Sequence, residues 1–181
     1  MHAANSTSSL DPAFRQQVAT ALGKIPSGLF ILTAEHEERR MGMLTGFVQQ
    51  VCFEPPMVSV AIAKGRPIMP LISESRQFGL CQVGENQRIL TRKFANAGTA
   101  ALAGPADDPF LGFDLIKGNL AKLPLLAGSL AYIECELTCH MDVEGDHDLF
   151  VGTVRGGNCL NPKLKPSVHF RDDGLSYGNK P

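Results

Sequence analysis

Along residues 131–143 apolar and polar side chains alternate without a break, Ala131, Ile133, Cys135, Leu137, Cys139, Met141 and Val143 against Tyr132, Glu134, Glu136, Thr138, His140 and Asp142. A period of two sends the two sets to opposite faces, which predicts a β-strand with one buried and one wet face. Glu144-Gly145-Asp146-His147 is turn chemistry, and residues 149–154 return as an antiparallel partner, with His147 at the hairpin tip. Residues 41–64 follow a different pattern. Met41, Met43, Phe47, Val51 and Phe53 interleave with Leu44, Val48 and Cys52, so the run 41–53 predicts one strand that is covered on both faces. Glu54-Pro55-Pro56 ends it, and Val58, Val60 and Ile62 give the next strand a β-branched face. Gly42 and Gly46 weaken a strand interior, so a bulge or the close approach of something planar is expected there.

Helical signals are fewer. Phe14, Val18 and Leu22 recur at helical spacing between Asp11-Pro12 and Gly23, which predicts a short helix capped by Asp11, begun by Pro12 and ended by Gly23. Residues 29–33 then read as a strand and 36–40 as a charged turn. After Lys64, Gly65 and Arg66, Pro67 begins a helix carrying Ile68, Leu71 and Ile72. The free N–H groups and positive dipole end of such a helix, beside Lys64 and Arg66, make an anion site of phosphate size. Residues 78–83 read as a further strand, and Asn86 as the cap of a helix bearing Ile89, Leu90 and Phe94, with Arg92 and Lys93 as cations within reach of a phosphate. Residues 98–128 have only short apolar clusters, the pattern of cover over a site or of a partner-binding arm. Residues 169–170 and 175–177, around Asp172-Asp173-Gly174, predict a last small hairpin.

Length and charge narrow the class. At 181 residues the chain suits a single domain over 11–181 behind a flexible segment 1–10. A hydrophobic content of 44% with 19% charged residues is globular, and a formal charge of -1 lacks the electrostatic footprint of nucleic-acid binding. The most apolar run, 123–133, contains Pro124 and Gly128 and is too short to span a bilayer, and residues 1–10 lack the basic start and apolar centre of a secretory signal. A cytoplasmic protein with neither nucleic acid nor membrane as partner is expected. Five cysteines without a Cys-x-x-Cys pair read as buried thiols. Cys135 and Cys139 would lie roughly 13 Å apart along a strand, too far to share a zinc bound at about 2.3 Å per sulfur, so no metal is expected.

About seven short strands with hairpin turns and a few helices between them suggest a mainly β fold, a small β-barrel with added helices. No Gly-x-Gly-x-x-Gly follows the first strand, which argues against a doubly wound sheet, and Walker, His-Glu-x-x-His and Gly-x-Ser-x-Gly motifs are absent from the sequence.

Several short motifs then fall in a telling order: Ile25-Pro26-Ser27-Gly28, Gly42-Met43, Glu54-Pro55-Pro56, Lys64 with Arg66, Phe78, Phe94, and Gly145-Asp146-His147 with Gly152. In order and spacing, over roughly residues 14–177, they resemble the flavin reductase-like family with its FMN-binding split barrel. The resemblance implies a Greek-key split barrel and a homodimer with FMN or FAD near the interface. It implies hydride transfer from NADH or NADPH to flavin, with a monooxygenase or electron-transfer protein as the further partner. It places Leu44, Thr45, Gly46, Phe47 and Val48 along the isoalloxazine and Lys64, Gly65, Arg66 and Pro67 at the phosphate. Arg92 and Phe94 are further cofactor contacts, and His147, beside the reactive ring face, is the candidate catalytic residue. Two departures stand out. Family members commonly carry Thr-x-Ser-Ser where this chain has Leu44-Thr45-Gly46-Phe47, and Ser or Thr in place of Arg66, so flavin contacts shift toward backbone N–H groups and Arg66. Such a site needs no general base, only a flat apolar slot that stacks two rings and donors toward the pole where charge builds. The alternative is a flavoredoxin-like carrier that holds FMN and never meets a nicotinamide; the C-terminal signature of the related pyridoxine-phosphate oxidases is absent.

Overall fold

In the computed structural model, which describes residues 11–97, 108–120 and 122–177, the run 41–53 is not one strand but two, at opposite edges of one sheet. The sheet is built from β1 (Phe30–His36), β2 (Arg39–Thr45), β3 (Val48–Phe53), β4 (Pro56–Ala63), β5 (Gln77–Gln82), β6 (Ala131–Asp142) and β7 (His147–Cys159). Its order is β2-β1-β5-β6-β7-β4-β3, with every pairing antiparallel. Only Gly46 and Phe47 join the two edge strands. Thr45 and Val48 are three peptide units apart, which holds their Cα atoms within about 11 Å of each other. The sheet therefore has to curl until its edges face, yet β2 and β3 are not hydrogen-bonded neighbours. The result is the expected mainly β split barrel, rolled but not closed. The apolar alternation runs through the two-residue corner at Gly46-Phe47, which is why periodicity reads one strand where there are two.

Local chemistry explains the joints. Glu37 and Glu38 both have positive φ, 48° and 66°, the conformation a tight two-residue hairpin turn demands between β1 and β2. Both faces of β1 and β5 are buried. On one face Leu32, Phe78 and Leu80 pack with Ile68, Leu71 and Ile72 of α2 (Ile68–Ser75). On the other, Ile31 and Cys81 pack with Leu90 and Phe94 of α3 (Arg88–Ala97) and with Phe110 and Leu125. The planar group expected at Gly42 is the protein's own. A Cβ there would lie 2.6 Å from the Phe94 ring and 3.0 Å from that of Phe110.

Two sequence expectations fail here for identifiable reasons. Glu134, on the expected wet face of β6, is fully buried, and its carboxylate accepts the N–H groups of Asn119 at 2.8 Å and Leu120 at 3.4 Å. A loop folded over the strand has taken the carboxylate as its anchor, which no strand periodicity reveals. The hairpin expected at 169–177 does not form; no strand is found at 175–177. Within the unit formed by Met1–Ser27 and His169–Pro181, that segment instead donates to α1 (Pro12–Gly23), Arg171 N–H to Gly23 O at 3.1 Å and Gly174 N–H to Ala19 O at 2.8 Å. The cap of α1 is as expected, with the Asp11 carboxylate accepting the Phe14 N–H at 3.2 Å. Gly28–Val168 form the second compact unit, which holds the sheet. Residues 1–10 and 98–107, which carry the expected flexible start and part of the expected cover, lie outside the described residues. Among the described residues no helix is long and apolar enough to cross a membrane.

Candidate functional site

At one end of the sheet the chain leaves β4, rounds Lys64 to Pro67 and enters α2, directly beside the turn between β6 and β7. The ladder itself brings these segments together. His147, the first residue of β7, pairs with Ala63, and the Lys64 N–H continues the ladder by donating to Asp146 O at 2.9 Å. Phe47 joins them because its carbonyl accepts the Ala61 N–H at 3.0 Å. Its ring meets the His147 imidazole edge to face, with centroids 5.6 Å apart and planes at 62°. Gly65 makes the corner possible: at φ +80°, with nothing within 4 Å of a would-be Cβ, it occupies a conformation other residues rarely adopt and leaves open space beside Arg66.

The electrostatics are crowded. Lys64 Nζ lies 2.6 Å from Asp142 Oδ1 and 3.6 Å from Asp148 Oδ1. Asp148 Oδ2 lies 2.8 Å from His140 Nε2, and the His140 ring stacks on buried Phe150 with centroids 4.2 Å apart. Asp146 Oδ1 holds His147 Nδ1 at 2.7 Å, a bond that lowers the carboxyl below its ordinary range. The Lys64 hydrogen bond is the main reason Asp142 is lowered, with the Glu144 N–H second, and the same bond is the main reason Lys64 is raised.

These shifts fix a pH dependence. A carboxyl lowered in the folded state contributes stability that is complete above its unfolded value and is lost as pH falls through the lower folded value. The raised lysine acts oppositely, complete at neutral pH and lost as pH climbs through its folded value. Both side chains are partly exposed, 39% for Lys64 and 63% for Asp142, so the effect is modest. Thermal midpoints recorded from about pH 2 to pH 7 are expected to fall on the acid side, and less steeply in Asp142→Asn than in the parent chain.

Of the residues singled out in the sequence, Phe47, Lys64, Gly65, Arg66, Pro67 and His147 come together at this corner. Leu44 and Thr45 end β2, Gly46 is part of the link, and Val48 opens β3; Thr45 is buried and the other three are half-buried. Leu44 packs with the α3 side and Val48 with the α2 side. Arg92 is exposed on α3. Phe94 presents no surface at all: its ring contacts are Phe110, Phe113 and the space over Gly42. His147 is not at the hairpin tip but opens β7, with its side chain 17% exposed.

The helix start is also leaner in donors than its sequence suggests. Pro67 and Pro70 have no N–H, and that of Met69 goes to Arg66 O at 3.1 Å. Asp146 enters the sequence motifs only beside His147, and His140, Asp142 and Asp148 carry no motif of their own. The hairpin register sets Asp142 opposite Asp148. A mainly apolar cavity of about 560 Å³ lies among Phe30, Val48, Met57, Ile133 and Val154. Its lining reaches from Met57, roughly 23 Å along the extended strand from Lys64, to Val48, the neighbour of Phe47 at the corner.

The protein-family model described as "Flavin reductase like domain" matches residues 22–176. Diflavin flavoprotein A 1 of Synechocystis sp. (strain ATCC 27184 / PCC 6803 / Kazusa) is 34% identical over 160 residues, 87% of this chain and 26% of that protein. The chain thus spans about a quarter of the length of the diflavin flavoproteins it matches. Among solved structures, the styrene monooxygenase flavin reductase (SMOB) from Pseudomonas putida S12 is similar at TM-score 0.66 and 29% identity, over 87% of this chain and 91% of that one. The NADH:FAD oxidoreductase SgcE6 of Streptomyces globisporus C-1027 shares the fold at TM-score 0.75 and 24% identity, over 88% and 91%.

Proposed function

Because this chain belongs to the flavin reductase-like domain family, we propose that it is an NAD(P)H:flavin oxidoreductase whose flavin sits at the corner formed by Phe47, Lys64 to Pro67 and His147. The observation that carries this reading is the convergence of an aromatic pair and two cationic residues on one glycine-opened corner. When bound, the flavin supplies the two-electron redox chemistry. The chain's part is to orient and to shield. Phe47 and His147, fixed edge to face, form an apolar wall against which a planar ring system can lie. The Asp146 carboxylate, 2.7 Å from His147 Nδ1, favours one orientation of that ring. Half-buried Arg66 is the cation suited to a phosphate, since its planar fork can bind two oxygens at once.

The finer assignments follow the same reading. FMN or FAD is the flavin, NADH or NADPH the donor, and a monooxygenase or another electron acceptor the consumer of reduced flavin, as the name of the Pseudomonas putida protein suggests for its own system. A homodimer is favoured by edge strand β3, whose Val51 and Phe53 are 52% and 87% exposed and whose outer edge pairs with no strand among the described residues. The deciding experiment mixes the purified chain with NADH or NADPH and with FMN or FAD, and follows the nicotinamide absorbance band. Turnover on the order of 10 per second supports the reductase. A yellow protein inert toward both nicotinamides would sink it and leave the electron carrier.

A further inference from the structure

Lys64 stands where a flavin phosphate is expected, but its charge is already answered. Asp142 holds it at 2.6 Å and Asp148 faces it at 3.6 Å. Asp148 cannot readily move aside: it is 7% exposed and tied through Oδ2 to His140, which is itself stacked on Phe150. Its other oxygen, Oδ1, is buried, lies 3.6 Å from Lys64 Nζ and has no nearer hydrogen-bond donor among the described residues. To turn its charge to a phosphate, Lys64 would have to leave Asp142 with only the Glu144 N–H and Asp148 with only His140, beside an incoming dianion. The start of α2, short of N–H donors, does little to offset that repulsion.

We propose that Asp142 and Asp148 set the flavin specificity of this site: they hold Lys64 out of phosphate binding, so that a 5′-phosphate gains a flavin no more than the roughly tenfold that Arg66 supplies. This rests on the flavin reading of the corner. Arg66 supplies what phosphate recognition remains. Discrimination by phosphate is thus a property the hairpin acids suppress, and removing one of them should bring it back.

The test is equilibrium binding of FMN and of riboflavin, read by flavin fluorescence, in the parent chain and in two variants. In the parent the two dissociation constants are expected within about tenfold of each other. Asp142→Asn frees Lys64 and should tighten FMN by about fivefold while leaving riboflavin unchanged. Asp142 is 63% exposed, so the variant should fold normally, and its thermal midpoint checks this. Glu144→Gln removes the same charge from the same turn; Glu144 meets Asp142 only through its backbone N–H, so the ratio should not move. An unchanged ratio in Asp142→Asn, an equal gain in Glu144→Gln, or a parent chain that prefers FMN by over about a hundredfold would each overturn the proposal while leaving flavin binding intact. Failure of the parent chain to bind either flavin would remove the flavin reading and this inference together.

Discussion

Truncating Phe94 to alanine is expected to destabilise the chain by about 3–5 kcal/mol, which for a protein of this size lowers the thermal midpoint by roughly 6–20 °C. The ring is fully buried, lies 5.5 Å from Phe110 and 5.7 Å from Phe113 between centroids, and fills the space over Gly42. Its removal opens a cavity between α3 and β2 that the surrounding rings cannot collapse into without leaving their own contacts. The resemblance makes Phe94 a flavin contact, whereas its burial makes it a packing residue. Thermal unfolding followed by circular dichroism separates the two. A normal midpoint with lost flavin binding would contradict the packing role. A lowered midpoint, with riboflavin affinity within about twofold of the parent in the folded protein, is the outcome that burial alone predicts. Gly42→Ala adds a methyl group where the Phe94 ring already stands, so it too should destabilise the parent, but less so in the Phe94→Ala background where the ring is gone.

Replacing Arg66 by alanine is expected to weaken FMN by about tenfold and riboflavin hardly at all, since a charge-assisted hydrogen bond to phosphate is worth about 1.5–3 kcal/mol when buried and less on a half-exposed corner. With Lys64 held by Asp142 and Asp148, and Pro67 and Pro70 lacking N–H groups, Arg66 is left as the main source of phosphate affinity. The variant should therefore make the two flavins equal. Equal weakening of FMN and riboflavin would mean that the guanidinium supports the ring or the corner itself, and that the phosphate lies elsewhere.

How much of this was written in the sequence depends on the range over which a residue acts. The strand over 131–142 and its hairpin were legible because alternation is local, and so was the cap of α1, where Asp11 and Phe14 are neighbours on one turn. The split at Gly46-Phe47 was not, because alternation continues through the corner and only the partners of β2 and β3, far away in the chain, show them to be opposite edges. Gly42 was legible as unusual, but the plane lying against it is Phe94, some fifty residues on, and no composition rule names which aromatic ring will arrive. The corner itself was half visible. Lys64, Arg66 and His147 were found by their motifs, while Asp142 reads as an ordinary polar residue of a wet strand face and Asp148 as a residue between turn and strand until register sets both against Lys64.

The strand order has a kinetic consequence. Its central strands meet partners made long before or after them: Thr153 of β7 pairs with Met57 of β4, roughly a hundred residues earlier. Such a topology closes large loops before any contact rewards them, so refolding on the millisecond-to-second scale is expected and not the microsecond scale of helical bundles. During synthesis at about 5–20 residues per second, β4 emerges roughly 5–20 s before β7 can cover it. Through that interval Val58, Val60 and Ile62 are a β-branched ribbon open to any other nascent chain, and any chain that stops short of residue 147 would keep it open for good.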